Sequence, residues 1–319
     1  MKRLFVFAAA LAATSAAAQP DASGAPSPGE IVAAARADEW ADIAPDDLLV
    51  MDLAPDRDAK PRRVIIQLIA SPFSQPWVAN IRTLAEAHWW DGLAIVRAQD
   101  NYVVQWGDPD AEDTAKAKPL PERLIPTAED AYLVRVPDEA QDAAGPDAAV
   151  RFAISTPNEN DLYAPVTGFH GGWPLGLSER KAWPVHCYGS VGVGRNLSPD
   201  AGSGAELYAV IGHAPRHLDR NIAVVGRVIE GIEHLATLPR GTEALGFYRT
   251  PEERTSIASV RLGRAVPGLP TYQYLSTESE SFARYADARA NRRDPFFIVP
   301  AGGADVCNIP VPVRRKAAG

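Results

Sequence analysis

The chain has 319 residues, 46% of them hydrophobic and 23% charged, a balance that excludes a disordered, collagenous or membrane-embedded protein. Its 28 Pro and 24 Gly argue against a helical bundle and favour loops and short strands. A formal charge of −8 with no basic stripe argues against a nucleic-acid groove or an anionic membrane surface as partner.

The N-terminus reads as a secretory signal. Met1-Lys2-Arg3 is a basic start, Leu4 to Ala13 an apolar run, and Ala16-Ala17-Ala18 an A-x-A cleavage site before Gln19. The apolar run is too short to span a bilayer, and no later segment has the uninterrupted apolar length of a transmembrane helix. Residues 1–18 are therefore expected to direct export, placing the remainder in an oxidising, periplasm-like compartment. Loss of Lys2 and Arg3 takes the charge from −8 to −10.

Gln19 to Glu30 is Ala, Pro, Ser and Gly-rich and reads as a flexible leader. Ile31 to Trp40 suits a short helix, and Pro45-Asp46-Asp47 introduces the apolar segment Leu48 to Leu53. That segment and the β-branched run Val64 to Ile69 form a predicted hairpin. Gln75 to His88 has apolar residues at Trp77, Val78, Ile81, Leu84 and Ala85, the spacing of an amphipathic helix. Strands follow at Leu93 to Arg97 and Tyr102 to Trp106, before the breaker Gly107-Asp108-Pro109. An acidic, Pro-rich stretch from Asp110 to Ala148 contains one strand-like piece, Ala131 to Val136.

Ala149 to Ser155 reads as a strand and Asn158 to Pro184 as a Gly/Trp/Pro-rich loop region. Further strands are expected at Ser190 to Gly194, Glu206 to Gly212, Ile222 to Val228 and Val260 to Leu262. Ile229 to Leu238 is a second helical pattern, and Ser279 to Arg292 a third, with Thr277 and Glu280 placed as a capping box. Many short strands with few helices point to a mainly β fold, a closed or nearly closed antiparallel barrel with helices over its ends and not an alternating α/β sheet.

Several chemical motifs are absent or weak. No G-x-S-x-G presents a nucleophile, and Gly202-Ser203-Gly204 reads as a turn. Gly192-Val193-Gly194 lacks the third glycine of a dinucleotide loop. Pro215 between His213 and His217 argues against a helical metal pair, and Asp108, Asp110 and Glu112 lack the glycine and distal glutamate of a calcium loop. No metal or cofactor is expected. The two cysteines, Cys187 and Cys307, make one disulfide possible; the alternative is two separate buried thiols.

The remaining pieces resemble a family when taken in order. Val64-Ile65-Ile66-Gln67-Leu68, Trp77-Val78-Ala79-Asn80-Ile81, Trp90-Asp91-Gly92-Leu93-Ala94-Ile95-Val96-Arg97 and Val104-Gln105-Trp106-Gly107-Asp108-Pro109 resemble the first half of a cyclophilin-type peptidyl-prolyl cis-trans isomerase. Tyr188 to Arg195, Glu206 to Val210, Leu218-Asp219 and Val224 to Ile232 are similar to the second half. The resemblance implies an eight-stranded antiparallel barrel capped by two α-helices over residues 46–265. A long insertion at about 110–184 interrupts it, residues 19–45 form a leader, and 266–319 a C-terminal extension.

It also implies a site. The family's catalytic arginine falls on Arg97, five positions before Tyr102 and eight before Gln105. Tyr102, Val103, Tyr208 and Leu218 correspond to the apolar wall of a proline pocket, with His217 at its rim and Gly194 and Glu206 among the substrate-binding positions. The implied partners are proline-containing polypeptides. The sequence departs from the family where Asp100-Asn101 replaces Pro-Gly, Val103 a methionine, Glu206 a glutamine, Leu207-Tyr208 an aromatic pair and Ile222 a polar group. Glu206 is the most consequential departure, because a carboxylate there could pair with Arg97 and compete with substrate. Two rival readings therefore stand beside isomerisation: an inactive barrel that binds proline-containing chains as a chaperone or scaffold, with Arg97 in a structural ion pair, and a carboxylate hydrolase using Asp108 and Glu206.

Overall fold

The computed structural model describes residues 24–136, 154–155 and 161–317. The proposed signal 1–18 and most of the strand expected at Ala149 to Ser155 lie outside the described residues.

Helix α1 (Pro28–Ala33) opens the chain inside the segment read as a leader. Its N-cap, Ser27, accepts from the Glu30 amide at 3.3 Å while the Glu30 carboxylate accepts from the Ser27 amide at 2.8 Å. This helix starts earlier than the Ile31 to Trp40 pattern predicts, at the Ser27 cap, and ends earlier too, since Trp40 belongs to strand β1 (Trp40–Ile43). Strands β2 (Leu48–Leu53) and β3 (Arg62–Leu68) form the expected antiparallel hairpin. Helix α2 (Gln75–Glu86) buries Trp77, Val78, Ile81 and Leu84, the residues its spacing singled out. Strands β4 (Ala94–Ala98) and β5 (Val103–Gly107) follow as an antiparallel pair.

The insertion contributes β6 (Val134–Arg135), β7 (Ile154–Ser155), β8 (Val166–His170), β9 (Trp173–Ser178) and β10 (Lys181–Pro184). These form one five-stranded sheet in the order β6-β10-β9-β8-β7, so the Gly/Trp/Pro-rich region predicted as loop contains three strands. Glycines in a strand hide it from propensity, but Gly176 is required by contact. A Cβ there would lie 2.7 Å from the Trp183 ring on the neighbouring strand.

Strands β11 (Ser190–Val193), β12 (Leu207–Val210), β13 (Val224–Glu230) and β14 (Thr255–Leu262) complete the body. Eight strands close a barrel in the order β11-β12-β5-β4-β14-β2-β3-β13, with antiparallel pairing throughout. The second barrel helix, α3 (Glu233–Ala236), is one turn long, since Ile229 and Glu230, predicted helical, extend β13 instead.

The last segment forms β15 (Tyr272–Leu275), α4 (Glu280–Ala290) and β16 (Val313–Arg315). The N-cap of α4 is Ser279, which accepts from the Phe282 amide at 3.1 Å. Thr277, expected there as part of a capping box, instead accepts from the Gly172 amide at 3.1 Å. Strands β1, β15 and β16 pair into a three-stranded sheet, uniting segments from the two ends of the described chain.

That sheet explains why β2 and β3 are apolar on successive residues. Leu49, Met51, Val64 and Ile66 enter the main core with Trp77 and Trp106. Their neighbours Leu48, Val50 and Ile65 pack with Ile43 and Tyr272 in a second cluster outside the barrel wall. Alternate side chains of a strand face opposite sides, so a strand covered on both faces reads as a continuous apolar run.

Candidate active site

The barrel carries a cavity of about 370 Å³ along the β4–β5–β12 edge. Arg97, Tyr102, Val103, Gln105, Gly194, Glu206, Tyr208 and Leu218 all line it. His217 does not; it is exposed, and its ring stacks on that of Tyr102, a lining residue, at 6.1 Å and 13°. Eight residues drawn from β4, β5, β12 and three loops thus converge, although more than a hundred positions separate Arg97 from Leu218 in the chain.

Pairing of β4 with β5 sets Arg97 opposite Gln105, and pairing of β5 with β12 sets Gln105 opposite Tyr208. The half-buried Arg97 guanidinium donates from Nε to the Leu245 carbonyl at 2.7 Å and from one terminal nitrogen to Gln105 Oε1 at 3.1 Å. Its other terminal nitrogen donates to Gln99 Oε1. The cation also lies 5.6 Å from the Tyr102 ring centroid and 5.3 Å from that of Phe247. Burial pulls its pKa down from the usual arginine value, with Tyr102 and Glu206 opposing; a guanidinium in this state remains charged at neutral pH.

Glu206 does not pair with Arg97. Gln105 stands between them, its Oε1 accepting from Arg97 and its Nε2 donating to Glu206 Oε1 at 2.8 Å. The carboxylate is therefore linked to the arginine through an amide that satisfies both. Gly194 belongs to this arrangement as a space-maker, since a Cβ there would lie 2.9 Å from the Glu206 side chain. Burial raises the Glu206 carboxyl above the ordinary carboxylate range.

The apolar wall is a cluster of its own. Val103, Tyr208 and Val210 are buried together, with Tyr102, Leu218 and Ile222 packed against them. Tyr208 lies so close to β11 that a Cβ on Gly192 would be 2.3 Å from its hydroxyl oxygen. Asp100-Asn101, standing where the family has Pro-Gly, still turns the chain: Asn101 adopts φ 49°, a left-handed conformation that asparagine tolerates, and its Oδ1 accepts from the His213 amide at 2.8 Å.

Behind the wall runs a buried polar relay that the sequence did not reveal. The Tyr208 hydroxyl is 2.8 Å from His186 Nε2, and His186 Nδ1 is 2.9 Å from Asp219 Oδ1. Arg216 donates to Asp219 Oδ2 at 2.6 Å and to Asp161 at 2.9 and 3.2 Å. Burial keeps the Tyr208 phenol far above its ordinary pKa, so the hydroxyl stays protonated beside Nε2. Nothing in the local sequence around His186 announces these partners, which lie 22 to 33 positions away. Phe247, Arg254 and Glu112, also in the cavity lining, were likewise missed. Among the described residues no group of three or more His, Cys, Asp or Glu could hold a metal ion.

A closed eight-stranded antiparallel barrel with this edge cavity is the cyclophilin fold. Residues 63–262 match the family model described as cyclophilin type peptidyl-prolyl cis-trans isomerase/CLD, and the chain belongs to that family. Membership supports a peptidyl-prolyl isomerase function and an ability to bind proline-containing peptides. Among solved structures, cyclophilin AquaCyp293 from Hirschia baltica is similar with a TM-score of 0.61 and 21% identity, over 88% of this chain and 95% of that one. A cyclophilin type peptidyl-prolyl cis-trans isomerase of Cryptosporidium parvum gives a TM-score of 0.38 and 10% identity, over 68% of this chain and 96% of that one. No curated protein matches the chain.

Proposed function

We propose that the protein accelerates rotation about X–Pro bonds of extended or unfolded polypeptides after export, in an oxidising, periplasm-like compartment. The observation that carries the reading is the placement of the Arg97 guanidinium and the Val103–Tyr208–Leu218 wall in one cavity.

Rotation of an amide must overcome a barrier of about 18–20 kcal/mol set by loss of resonance, although the two X–Pro isomers are close in energy. As the amide twists, its nitrogen lone pair localises. A fixed guanidinium that hydrogen-bonds this nitrogen or the moving carbonyl favours the twisted state over either planar one. The apolar wall holds the proline ring while the chain on its N-terminal side rotates, and Gln105 steadies the guanidinium and is within reach of a substrate carbonyl. No proton changes hands, so the rate should stay nearly flat through neutral pH, whereas a carboxylate hydrolase would give a bell-shaped profile. Support for export comes from the apolar N-terminal run and from the cysteine pair.

A protease-coupled isomerisation assay on an X–Pro tetrapeptide tests the reading. Arg97→Ala should lower kcat/KM by about 10²–10³-fold, the loss typical of one preorganised donor. Full activity in Arg97→Ala would remove the arginine from the mechanism, and peptide binding without acceleration would identify an inactive, chaperone-like barrel.

A further inference from the structure

A second cleft, of about 280 Å³, lies where β11 and β13 of the barrel meet the inserted strands β9 and β10 and the tail that follows Val306. It shares no lining residue with the Arg97 cavity. Its walls are aliphatic, including Val185, Val224, Ile229, Ile309 and Val311, and both half-cystines border it.

Arg227, in this lining, has hydrogen-bond acceptors but no counter-charge. The Arg227 guanidinium donates from Nε and one terminal nitrogen to Gln67 Oε1 at 2.9 and 2.7 Å, and from the other to the Gly172 carbonyl at 2.8 Å. Those bonds use three of the five N–H groups of an arginine, and every acceptor is neutral. Among the described residues no carboxylate pairs with it. Even a partly buried charge usually has a counter-charge, because desolvation is costly; here desolvation pulls the pKa of Arg227 down to about 10, which leaves it protonated at neutral pH. Trp173, 4% exposed, lines the cleft with its ring and keeps its indole N–H buried. The Arg227 guanidinium lies over that ring, 4.6 Å from its centroid, so the cation rests on an aromatic face beside the aliphatic space.

Arg227 does cross-link the barrel to the inserted sheet through Gln67 and Gly172. That role accounts for three of its donors and leaves the missing counter-charge and the aliphatic cleft beside it without a purpose. We infer that this cleft binds a small organic carboxylate with a branched aliphatic body, the carboxylate accepting from Arg227 and the body filling the Val/Ile-lined space. The same chemistry is offered by a free acyl acid and by the C-terminus of a polypeptide ending in an aliphatic residue.

Titration calorimetry on the full chain tests this with N-acetyl-leucine, its uncharged amide N-acetyl-leucinamide, and a hexapeptide ending in free leucine. The acid should bind at least about tenfold more tightly than the amide, since the amide removes the charge-assisted bonds. Arg227→Gln should abolish that preference and Arg227→Lys should keep part of it. Tighter binding of the hexapeptide than of N-acetyl-leucine assigns the site to polypeptide termini; binding of N-acetyl-leucine alone assigns it to small acids. Equal binding of acid and amide, absence of binding by all three at millimolar concentration, or an undiminished acid preference in Arg227→Gln would overturn the inference. The comparison of acid with amide uses the unaltered protein, so it decides even where an Arg227 variant fails to fold.

Discussion

At the scale of single residues, Glu206 and Tyr208 show how one barrel edge accommodates polar groups beside an apolar pocket. Burial raises the Glu206 carboxyl, with Glu112 and Asp108 adding to the rise and the Gln105 amide and Arg97 opposing it. A carboxyl whose pKa is raised by folding binds its proton more tightly in the native state than in the unfolded one, so its ionisation weakens the fold as pH rises through that window. Glu206→Gln keeps an acceptor for Gln105 and removes the charge. It should raise the melting temperature at pH 7, and the gain should vanish near pH 4, where the carboxyl is protonated; a variant that melts lower at both values would contradict the burial argument. Tyr208→Phe preserves the apolar wall and leaves His186 Nε2 without its partner. Denaturant titration should show a loss of about 1–3 kcal/mol, the cost of stranding a buried polar group, with kcat/KM changed by no more than a few-fold. A far larger fall in rate would give the hydroxyl a direct part in the reaction.

At the scale of elements, the termini of helices and the faces of strands carry most of the long-range information. Glu39, just before β1, accepts from the Ser281 amide at 2.9 Å and its hydroxyl at 2.8 Å, and from the Arg36 amide at 2.9 Å. It thereby places a carboxylate on the first turn of α4, where the helix dipole favours a negative charge. The Ser281 bonds are the main cause that holds its pKa down at about 2. Lowering of a carboxyl pKa gives stability that is present above the unfolded value, near 4.3, and lost as pH falls through about 2. Glu39→Gln should therefore be less stable than the parent at pH 6, and urea titrations should show the difference narrowing by pH 2.5. A gap that stays constant with pH would mean the carboxylate charge is irrelevant there. Elements of this kind mark the limit of what the sequence discloses. The barrel strands and the Arg97–Gln105 spacing were legible because β4 and β5 are adjacent in the chain, so their register fixes the site locally. The strands β8 to β10 were not, because Gly168 and Gly176 look like loop residues until Trp183 is seen packed against Gly176. The relay from Tyr208 to Asp161 was equally hidden, since only its Arg216–Asp219 link is local and the others join residues 22 to 55 positions apart.

At the scale of the whole molecule, the tail beyond the barrel is attached by three unlike means. Strand β15 pairs with β1 on one side and with β16 on the other, over the outer wall of the hairpin β2–β3. Arg216 reaches Asp305 at 3.4 Å, from the same guanidinium that holds Asp219 and Asp161. Two residues on, Cys307 is disulfide-bonded to Cys187, with Cα atoms 5.1 Å apart and 120 positions between them, inside the span a bridge accepts. A loop of that length is worth roughly 4–5 kcal/mol in the chain-entropy model. None of the eight barrel strands comes from the tail, and the Arg97 cavity takes no lining residue beyond Arg254. Loss of the bridge should therefore lower stability while sparing the chemistry. Cys307→Ser, or the parent in dithiothreitol, should melt well below the oxidised parent yet keep most of its Arg97-dependent kcat/KM at 25 °C. Thiol titration supplies the control: two free thiols in native, unreduced protein would remove the bridge from the account, and loss of activity in parallel with reduction would show that the tail, through Cys187 and the neighbouring His186, holds Tyr208 in its working position.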